Sequence, residues 1–150
     1  SEECHREEES RKVTTQLQAL AKRIPKSYIK TKPGGFAADY CSHADVQQML
    51  IAKLGVPPSR EVTQVIRSAE GQAQGVVLRM VFNIDGQTVV IDEVGECERP
   101  GQNEGLNVKN AVSDAVKRCA MRIGLGLELW CQETYVLDKA LATKEGDDNE

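Results

Sequence analysis

The dipeptide Asp85-Gly86 limits the possible folds of this chain more than any other feature of its sequence. It separates two segments rich in valine and isoleucine, and Asp-Gly pairs favour two-residue hairpin turns, in which both residues adopt positive φ. A third segment of the same kind precedes them and is joined to them by a glycine-containing loop. The three segments predict an antiparallel meander with strands at Glu61–Ala69, Val76–Asp85 and Gln87–Glu98.

Helical periodicity flanks the predicted meander on both sides. A first helix is predicted at Ser10–Arg23, and a second follows the N-cap Ser42 and ends at Gly55. The longest helix is predicted to run from the N-cap Asn107 to Ile123. These elements predict an α+β fold in which an antiparallel three-stranded meander packs with a long C-terminal helix, as a β-β-β-α core preceded by helices.

Acidic residues are concentrated at the two ends of the sequence, whereas its middle is basic. Residues 1–10 hold five glutamates, and seven basic residues with no acidic one lie between Arg11 and Lys32. A basic body with acidic ends favours a polyanion-binding protein, although acidic ends also favour solubility alone. The predicted organisation is an acidic disordered head at 1–10, a single domain at 11–137 with its core at about 38–130, and an acidic flexible tail at 138–150.

The cysteines and the apolar runs indicate the cellular compartment. The five cysteines have no C-x-x-C spacing and are odd in number, so we expect reduced thiols that are mostly small core residues. No apolar run approaches the roughly 18 residues of a membrane span, and the first residues do not resemble a secretory signal. We therefore expect a cytoplasmic protein without a membrane partner.

The cations of the longest predicted helix gather on one face. Lys117, Arg118 and Arg122 project from the side opposite an apolar stripe of valine, alanine and cysteine. Neighbouring cations repel one another unless an anion lies nearby, and a phosphate backbone is such an anion. The simpler alternative is a solvated helix face whose cations favour the C-terminus of the helix.

The same helix carries a resemblance to a known family. Asn110–Gly124, N-A-V-S-D-A-V-K-R-C-A-M-R-I-G, resembles the A-V-T-D-A-L-K-R-A…F-G helix of Rad fifty-two type single-strand annealing proteins and their phage relatives of the Sak and Erf kind. Tyr40–Gly55 resembles the earlier Y…V…L…F-G helix of that family, and Gly95 falls where the family has a glycine ending its last strand. The resemblance covers about Ala38–Trp130, and Lys30–Leu54 is similar to actinophage annealing proteins in particular.

The resemblance implies a function and a set of contacts. Proteins of this family form rings and hold single-stranded DNA in a positively charged groove, so a phage protein of this type would act in the cytoplasm of the host cell. Lys117 and Arg118 match the family's DNA-contacting pair. Two family arginines are replaced, one by Met121, with Arg122 one position later, and one by Asp45.

Because of these departures, other cations are expected to complete the groove. The further DNA-binding candidates are Lys26, Lys30, Lys32, Arg67 and Arg79. Arg67 and Arg79 alternate with apolar residues, so they are equally typical of the exposed face of a strand. Four of the six aromatic residues, Tyr28, Phe36, Tyr40 and Trp130, are candidates for stacking surfaces. They are not interleaved with the cations, so we expect core or subunit contacts for them rather than base stacking.

Catalytic signatures are weak in this sequence. Asp92-Glu93, Glu96 and Glu98 alternate near a strand end as solvent-facing acids do, and no convergent constellation accompanies them. His43 beside the cap Ser42 is typical of a helix start or a surface position. Cys4-His5 has no second pair to complete a metal site, and no Walker-type glycine loop is present. The prediction is a protein that is not an enzyme and needs no cofactor, metal or ATP.

The expected function is that of a DNA recombination and repair protein that binds single-stranded DNA and anneals complementary strands without ATP, as a homo-oligomer in a ring or helix. The resemblance implies an exonuclease or a single-strand binding protein as a further partner. One alternative is a double-stranded RNA-binding module of α-β-β-β-α order, whose cations cluster at the start of the last helix, where this chain has only Lys109. Another alternative is a structural oligomer without a nucleic-acid role.

Overall fold

The computed structural model describes residues 14–32 and 39–147 of the chain. An antiparallel three-stranded sheet in sequence order packs against one long helix, which confirms the predicted α+β class. The helices and strands, in chain order, are α1 (Gln16–Ala21), β1 (Ile29–Thr31), β2 (Asp39–Cys41), α2 (His43–Leu54), β3 (Ser59–Arg67), β4 (Ala73–Ile84), β5 (Gln87–Glu96), α3 (Glu104–Arg122), α4 (Glu128–Cys131) and α5 (Leu137–Asp147). Short 3-10 turns at Lys26–Tyr28 and Gln132–Thr134 follow α1 and α4.

The meander is built around β4, which pairs with β3 on one side and β5 on the other. At the β4–β5 turn, φ is 50° at Asp85 and 77° at Gly86, the two positive values that the predicted hairpin turn requires. Pairing between these strands continues without interruption from Ile84 opposite Gln87 to Gly75 opposite Glu96. The three predicted strands are therefore confirmed, with bounds shifted by a few residues.

The core lies between one face of the sheet and α3. Alternate residues of β4 are buried on this face, as expected for a strand with one covered side. Gly95 of β5 faces α3 at very close range, because a Cβ atom at this position would lie 2.5 Å from the backbone nitrogen of Ala115 and 2.7 Å from its Cβ. A glycine here allows the strand and the helix to approach.

Helix α2 begins and ends where the sequence predicts. The Ser42 hydroxyl accepts a hydrogen bond of 3.2 Å from the backbone nitrogen of Asp45, as an N-cap does. Gly55 ends the helix with a φ of 78°. Between these caps the helix buries Val46, Met49, Leu50 and Leu54.

The region before α2 differs from the prediction. The first helix covers only Gln16–Ala21, after the N-cap Thr15, rather than Ser10–Arg23, whose first residues lie outside the described part. Two short strands that the sequence does not predict, β1 and β2, pair as an antiparallel hairpin before α2. Strands of three residues are too short to show the alternation by which a strand is recognised in a sequence.

The predicted N-cap of the long helix is wrong. Asn103 is the N-cap, and its side chain accepts a hydrogen bond from the backbone nitrogen of Leu106. Asn107 lies inside the helix and is buried, where its side chain accepts from the backbone nitrogen of Gly101 at 2.8 Å and donates to the carbonyl oxygen of the same residue at 2.9 Å. Asn107 therefore anchors the preceding loop on the helix.

The C-terminal region also differs from the prediction, because the long helix is not the last element. Leu137–Asp147 is helical where a flexible tail is predicted from residue 138. The Gln18 amide nitrogen of α1 donates to the Leu141 carbonyl oxygen of α5, and the hydroxyl of the buried Tyr135 donates to the carbonyl oxygen of Ala21. These contacts hold the last elements against the first helix. Residues 1–13, which include the predicted acidic head and Cys4, and residues 148–150 lie outside the described residues.

The described cysteines match the predicted state. Cys41, Cys97 and Cys119 are free and buried, and Cys131 is free and partly buried.

No helix within the described ranges is long and apolar enough to cross a membrane.

Candidate nucleic-acid interface

Two cations of α3, Lys117 and Arg118, lie on the flank of the helix rather than on the side that packs on the sheet. Ala111, Ala115 and Cys119 are buried toward the sheet, which leaves Lys117 and Arg118 half-buried on the flank of the helix. The two side chains line the same cavity. The helical periodicity predicts that Lys117, Arg118 and Arg122 project together. The first two do, whereas Arg122 is directed toward Glu93 and Asp92 of β5.

A cavity of about 380 Å³ opens between α3 and the chain that follows β5. We call it the basic groove, and its lining residues are Lys32, Glu96, Cys97, Glu98, Arg99, Asn110, Ser113, Asp114, Lys117 and Arg118. Four cations and three carboxylates thus share one surface. The cations exceed the carboxylates by only one, so the attraction for a polyanion comes from the arrangement of the charges rather than from their number.

Two of the four cations in the basic groove are paired with carboxylates. The Nζ atom of Lys32 lies 3.8 Å from Glu98, and the Nε atom of Arg118 donates to Asp114 at 3.1 Å. Within the described ranges, no carboxylate oxygen lies within 4.0 Å of a side-chain nitrogen of Lys117 or Arg99. These two cations are the ones most available to an added anion.

A second cavity, of about 260 Å³, adjoins the basic groove and shares Asp114 and Lys117 with it. We call it the aromatic pocket, and its lining residues are Ile24, Asp39, Tyr40, Cys41, Val46, Asp114, Lys117, Leu125, Gly126, Leu129 and Trp130. The cavity is mostly apolar, and its two aromatic rings come from different elements, Tyr40 from β2 and Trp130 from α4.

Each ring of the aromatic pocket carries a cation from α3. The Nζ atom of Lys117 lies 5.9 Å from the ring centroid of Tyr40, and the Cζ atom of Arg118 lies 5.2 Å from the ring centroid of Trp130. Both distances fall within the range of cation–π interactions. Consecutive residues of one helix therefore connect the basic groove to the two rings.

Lys30 joins this neighbourhood through the short β1–β2 hairpin. It lies opposite Tyr40 in the register of the hairpin. Burial raises the pKa of the nearby Cys41 thiol, Asp45 raises it further, and the positive charges of Lys117 and Lys30 act in the opposite direction. Both lysines are thus within electrostatic reach of the aromatic pocket.

Four of the predicted DNA-binding residues lie elsewhere. Lys26 is exposed on the 3-10 turn before β1, and Arg67 is paired with Glu104 near the start of α3. Arg79 lies on the face of the sheet away from α3. Arg122 lies 3.6 Å from Glu93 of β5 and donates to the Asp92 carbonyl oxygen. The structure places none of these four side chains in the basic groove.

Arg79 forms an ion pair with Asp92 of the neighbouring strand β5. Two guanidinium nitrogens of Arg79 donate to the two carboxylate oxygens of Asp92, at 2.9 and 3.1 Å. The hydrogen bonds from Arg79 lower the pKa of the Asp92 carboxyl. This cross-strand pair is the solvent-facing alternative that the sequence leaves open for Arg79.

Sequence reasoning does not identify Arg99, and it assigns Trp130 to a core or subunit contact. Arg99 lies in a polar loop without periodicity, so its position relative to α3 depends on how the chain leaves β5. Trp130 is 52% exposed and lies beside Arg118, which excludes a core position within the described structure. The GLGL sequence at 124–127, which turns the chain back after α3, is the signal that could have placed Trp130 near the helix.

A third cavity, of about 510 Å³, lies between the starts of α2 and α3 and strand β3, and its cations are Arg60 and Lys109. His43 lies on it as the first residue of α2, the helix start expected from the sequence. Its buried Nδ1 has no hydrogen-bond partner within the described structure. Burial, with the charges of Arg60 and Lys117, lowers the pKa of His43, so its ring is neutral near pH 7.

Within residues 14–32 and 39–147, no group of three or more His, Cys, Asp and Glu side chains could hold a metal ion. Comparison with models of known protein families found no match, and comparison with curated proteins also found none.

Proposed function

We propose that this protein binds single-stranded DNA in the basic groove and anneals complementary strands without ATP, as a homo-oligomer. The observation that carries the proposal is the convergence of Lys117 and Arg118 of α3 with Lys32 and Arg99 in one cavity. The resemblance of α3 to the DNA-contacting helix of the annealing proteins supports the same function. Such a protein would act in DNA recombination and repair, in the cytoplasm of the host cell if the chain comes from a phage.

The chemistry of the basic groove suits a phosphate backbone. Lysine and arginine contacts to phosphates fix the path of a strand without reading its sequence, and they leave the base edges free. Because Lys117 and Arg99 have no close carboxylate in the described structure, they can take phosphates without first breaking an ion pair. Cations along such a groove also reduce the repulsion between two strands that are about to pair.

The sheet supports the proposed assembly into rings or helices. In the described part of the chain, β3 and β5 each pair only with β4, which leaves one edge of each strand open. The face of the sheet away from α3 also exposes Val90 and Val94, at 55% and 50%. Open edges and exposed apolar residues are surfaces that a neighbouring subunit can cover.

Binding of duplex RNA is the second candidate. The order of α2, the three strands β3 to β5 and α3 favours it, and so do the cations Arg60 and Lys109 of the third cavity. Its cations near the start of α3 are few, because Lys109 is accompanied only by Arg60 of β3 in that cavity. The helix end, where Lys117 and Arg118 lie, has the stronger convergence. We therefore rank single-stranded DNA first.

A filter-binding comparison tests this ranking, with single-stranded DNA of mixed sequence and duplex RNA of equal length at the same salt concentration. We expect the protein to retain the DNA at lower protein concentration than the RNA. Stronger retention of the RNA would favour the duplex-binding alternative. Retention of neither nucleic acid, by protein whose circular dichroism shows it folded, would favour a structural oligomer.

A further inference from the structure

We propose that the aromatic pocket accepts one unstacked nucleobase of the bound strand, which stacks on Trp130 while the neighbouring phosphates lie in the basic groove. This inference rests on the proposed function and adds a base-binding subsite to it. It reverses the expectation from the sequence, which assigns Trp130 to a core or subunit contact.

The size of the aromatic pocket fits a small planar group. Its volume is about 260 Å³, whereas pockets for drug-sized ligands measure about 300–1,000 Å³. Its walls are mainly apolar, and Tyr40 and Trp130 supply the rings. Stacking on aromatic side chains is the usual way in which proteins hold single-stranded bases, and it tolerates any base because every base has a π-face.

The charges of the two cavities assign the phosphate and the base to different places. The aromatic pocket has one cation, Lys117, and two carboxylates, Asp39 and Asp114, so it disfavours a phosphate. The basic groove has an excess of cations and favours one. Since Lys117 and Asp114 line both cavities, a strand in the groove passes directly beside the pocket.

The exposure of Trp130 supports a ligand contact. Trp130 is 52% exposed although tryptophan has the largest side chain of any residue, and Arg118 lies over its ring. A base that stacks on this ring would cover apolar area, while the Arg118 guanidinium stays over the ring and its outer nitrogens contact the adjacent phosphate. Lys30, opposite Tyr40 in the β1–β2 hairpin, adds a cation near the pocket.

Trp130 is the only tryptophan in the chain, so the fluorescence of the unmodified protein reports directly on the proposed contact. The titration compares a single-stranded DNA oligonucleotide with an abasic oligonucleotide of equal length, which has the same phosphates but no bases. We expect the DNA to quench the fluorescence strongly and the abasic strand to leave it nearly unchanged. Binding of both strands is measured in parallel by the anisotropy of an end label.

Substitutions give an independent readout. We expect Trp130→Ala to weaken binding of the DNA by roughly fivefold or more and binding of the abasic strand hardly at all. Trp130→Phe retains a ring and should retain most of the affinity. Val136→Ala, at an exposed apolar position (63%) outside both cavities, is the matched control and should bind both strands as the unmodified protein does.

The possible failures are distinguishable. Equal quenching by both strands, or binding of DNA without a change in fluorescence, would overturn the base subsite and leave DNA binding in the basic groove intact. Failure of the folded protein to bind either strand would overturn the proposed function and the base subsite together.

Discussion

The Nε atom of Arg118 donates a hydrogen bond of 3.1 Å to the carboxylate of Asp114, one turn earlier in α3. The same carboxylate oxygen accepts a 3.0 Å hydrogen bond from the backbone nitrogen of Glu96 at the end of β5. Asp114 therefore holds Arg118 in the basic groove and ties the helix to the sheet. It also places a negative charge in the groove, which opposes a bound polyanion.

We expect Asp114→Asn to tighten binding of single-stranded DNA. The amide oxygen can still accept from Glu96, but the negative charge is gone and Arg118 is released toward phosphates. Exposed ion pairs contribute up to about 1 kcal/mol, so the gain should be at most about fivefold. Anisotropy of a labelled oligonucleotide at fixed salt measures it, and a loss of affinity in the folded variant would mean that Asp114 orients Arg118 for binding.

Removal of the charge of Lys117 or of Arg118 should weaken DNA binding without unfolding the protein. We expect Lys117→Ala and Arg118→Ala each to lose a phosphate contact, which lowers the slope of log K against log salt by about 0.7 for a single strand. The loss should be nearly independent of base sequence, because phosphates carry none. Titrations at several salt concentrations measure the slope.

Arg79→Ala is the matched control for those two variants. Its guanidinium is paired with Asp92 on the face of the sheet away from α3, so we expect its loss to leave the salt slope unchanged. If Arg79→Ala reduces binding as much as Lys117→Ala does, the strand follows the outer face of the sheet and the basic groove is the wrong site.

Gly95→Ala should destabilise the fold. The added Cβ would overlap the carbonyl oxygen of Ala111 and the backbone of Ala115, so β5 and α3 must separate. Overpacking of this kind typically costs about 1–3 kcal/mol of unfolding free energy. Gly101→Ala is the control, because a Cβ there meets nothing within 4 Å. Urea unfolding of both variants measures the cost, and equal stabilities would show that α3 does not pack closely on β5.

Tyr135→Phe should destabilise the protein at neutral pH and remove part of its sensitivity to alkali. The variant leaves the carbonyl oxygen of Ala21 without its hydroxyl donor, which should cost about 1–3 kcal/mol. Burial raises the pKa of Tyr135 to about 12 from an ordinary value of 10.0. Between these pH values the unfolded chain releases the proton and the folded protein keeps it, so stability falls as pH rises.

Urea unfolding at neutral pH and above the ordinary tyrosine pKa tests this linkage. The difference in stability between the unmodified protein and Tyr135→Phe should shrink as pH rises. A constant difference would mean that Tyr135 titrates at its ordinary pKa in the folded protein.

The predictions from local signals are the ones that the structure confirms. Asp85-Gly86 and the caps Ser42 and Gly55 act through their own backbone preferences or through hydrogen bonds to residues a few positions away. The N-cap of α3 is harder to predict, because the sequence has an asparagine at position 103 and another at position 107. Contacts of Asn107 with Gly101 decide in favour of Asn103, and they depend on the path of the loop.

The missed elements depend on distant partners. Helix α5 has few apolar residues, and its position against α1 includes a hydrogen bond between Gln18 and Leu141, which are 123 positions apart. The β1–β2 hairpin consists of two three-residue strands joined by a segment with proline and glycine. Neither pattern has a period long enough to be recognised from the sequence alone.

In the candidate site, too, local sequence patterns predict some residues, and the path of the chain decides the others. Helical spacing predicts that Lys117, Arg118 and Arg122 share a face. Lys117 and Arg118 do line the basic groove, but Arg122 contacts Glu93 and Asp92 of β5 instead. Arg99 and Trp130 come close to this face only because the chain turns after β5 and after α3. Alternation along β4 predicts that Arg79 faces solvent, but it cannot tell that this face lies away from the basic groove.

Annealing itself should need neither ATP nor metal and should pass through an optimum as salt rises. Base pairing supplies the favourable free energy, about 1.4 kcal/mol per stacked step. Low salt would trap each strand on the protein, and high salt would release the strands before they pair. Loss of Lys117 or Arg118 should move the optimum of the annealing rate to a lower salt concentration. With fewer phosphate contacts, less salt is needed before a bound strand can move on the protein.

The most direct measurement mixes two complementary oligonucleotides, each with one dye of an energy-transfer pair, with the protein and without nucleotide or metal. We predict annealing faster than the protein-free control over an intermediate range of salt, with the acceleration reduced in Lys117→Ala and Arg118→Ala and retained in Arg79→Ala. A strict requirement for ATP, or annealing no faster than the protein-free control at every salt concentration, would contradict the account.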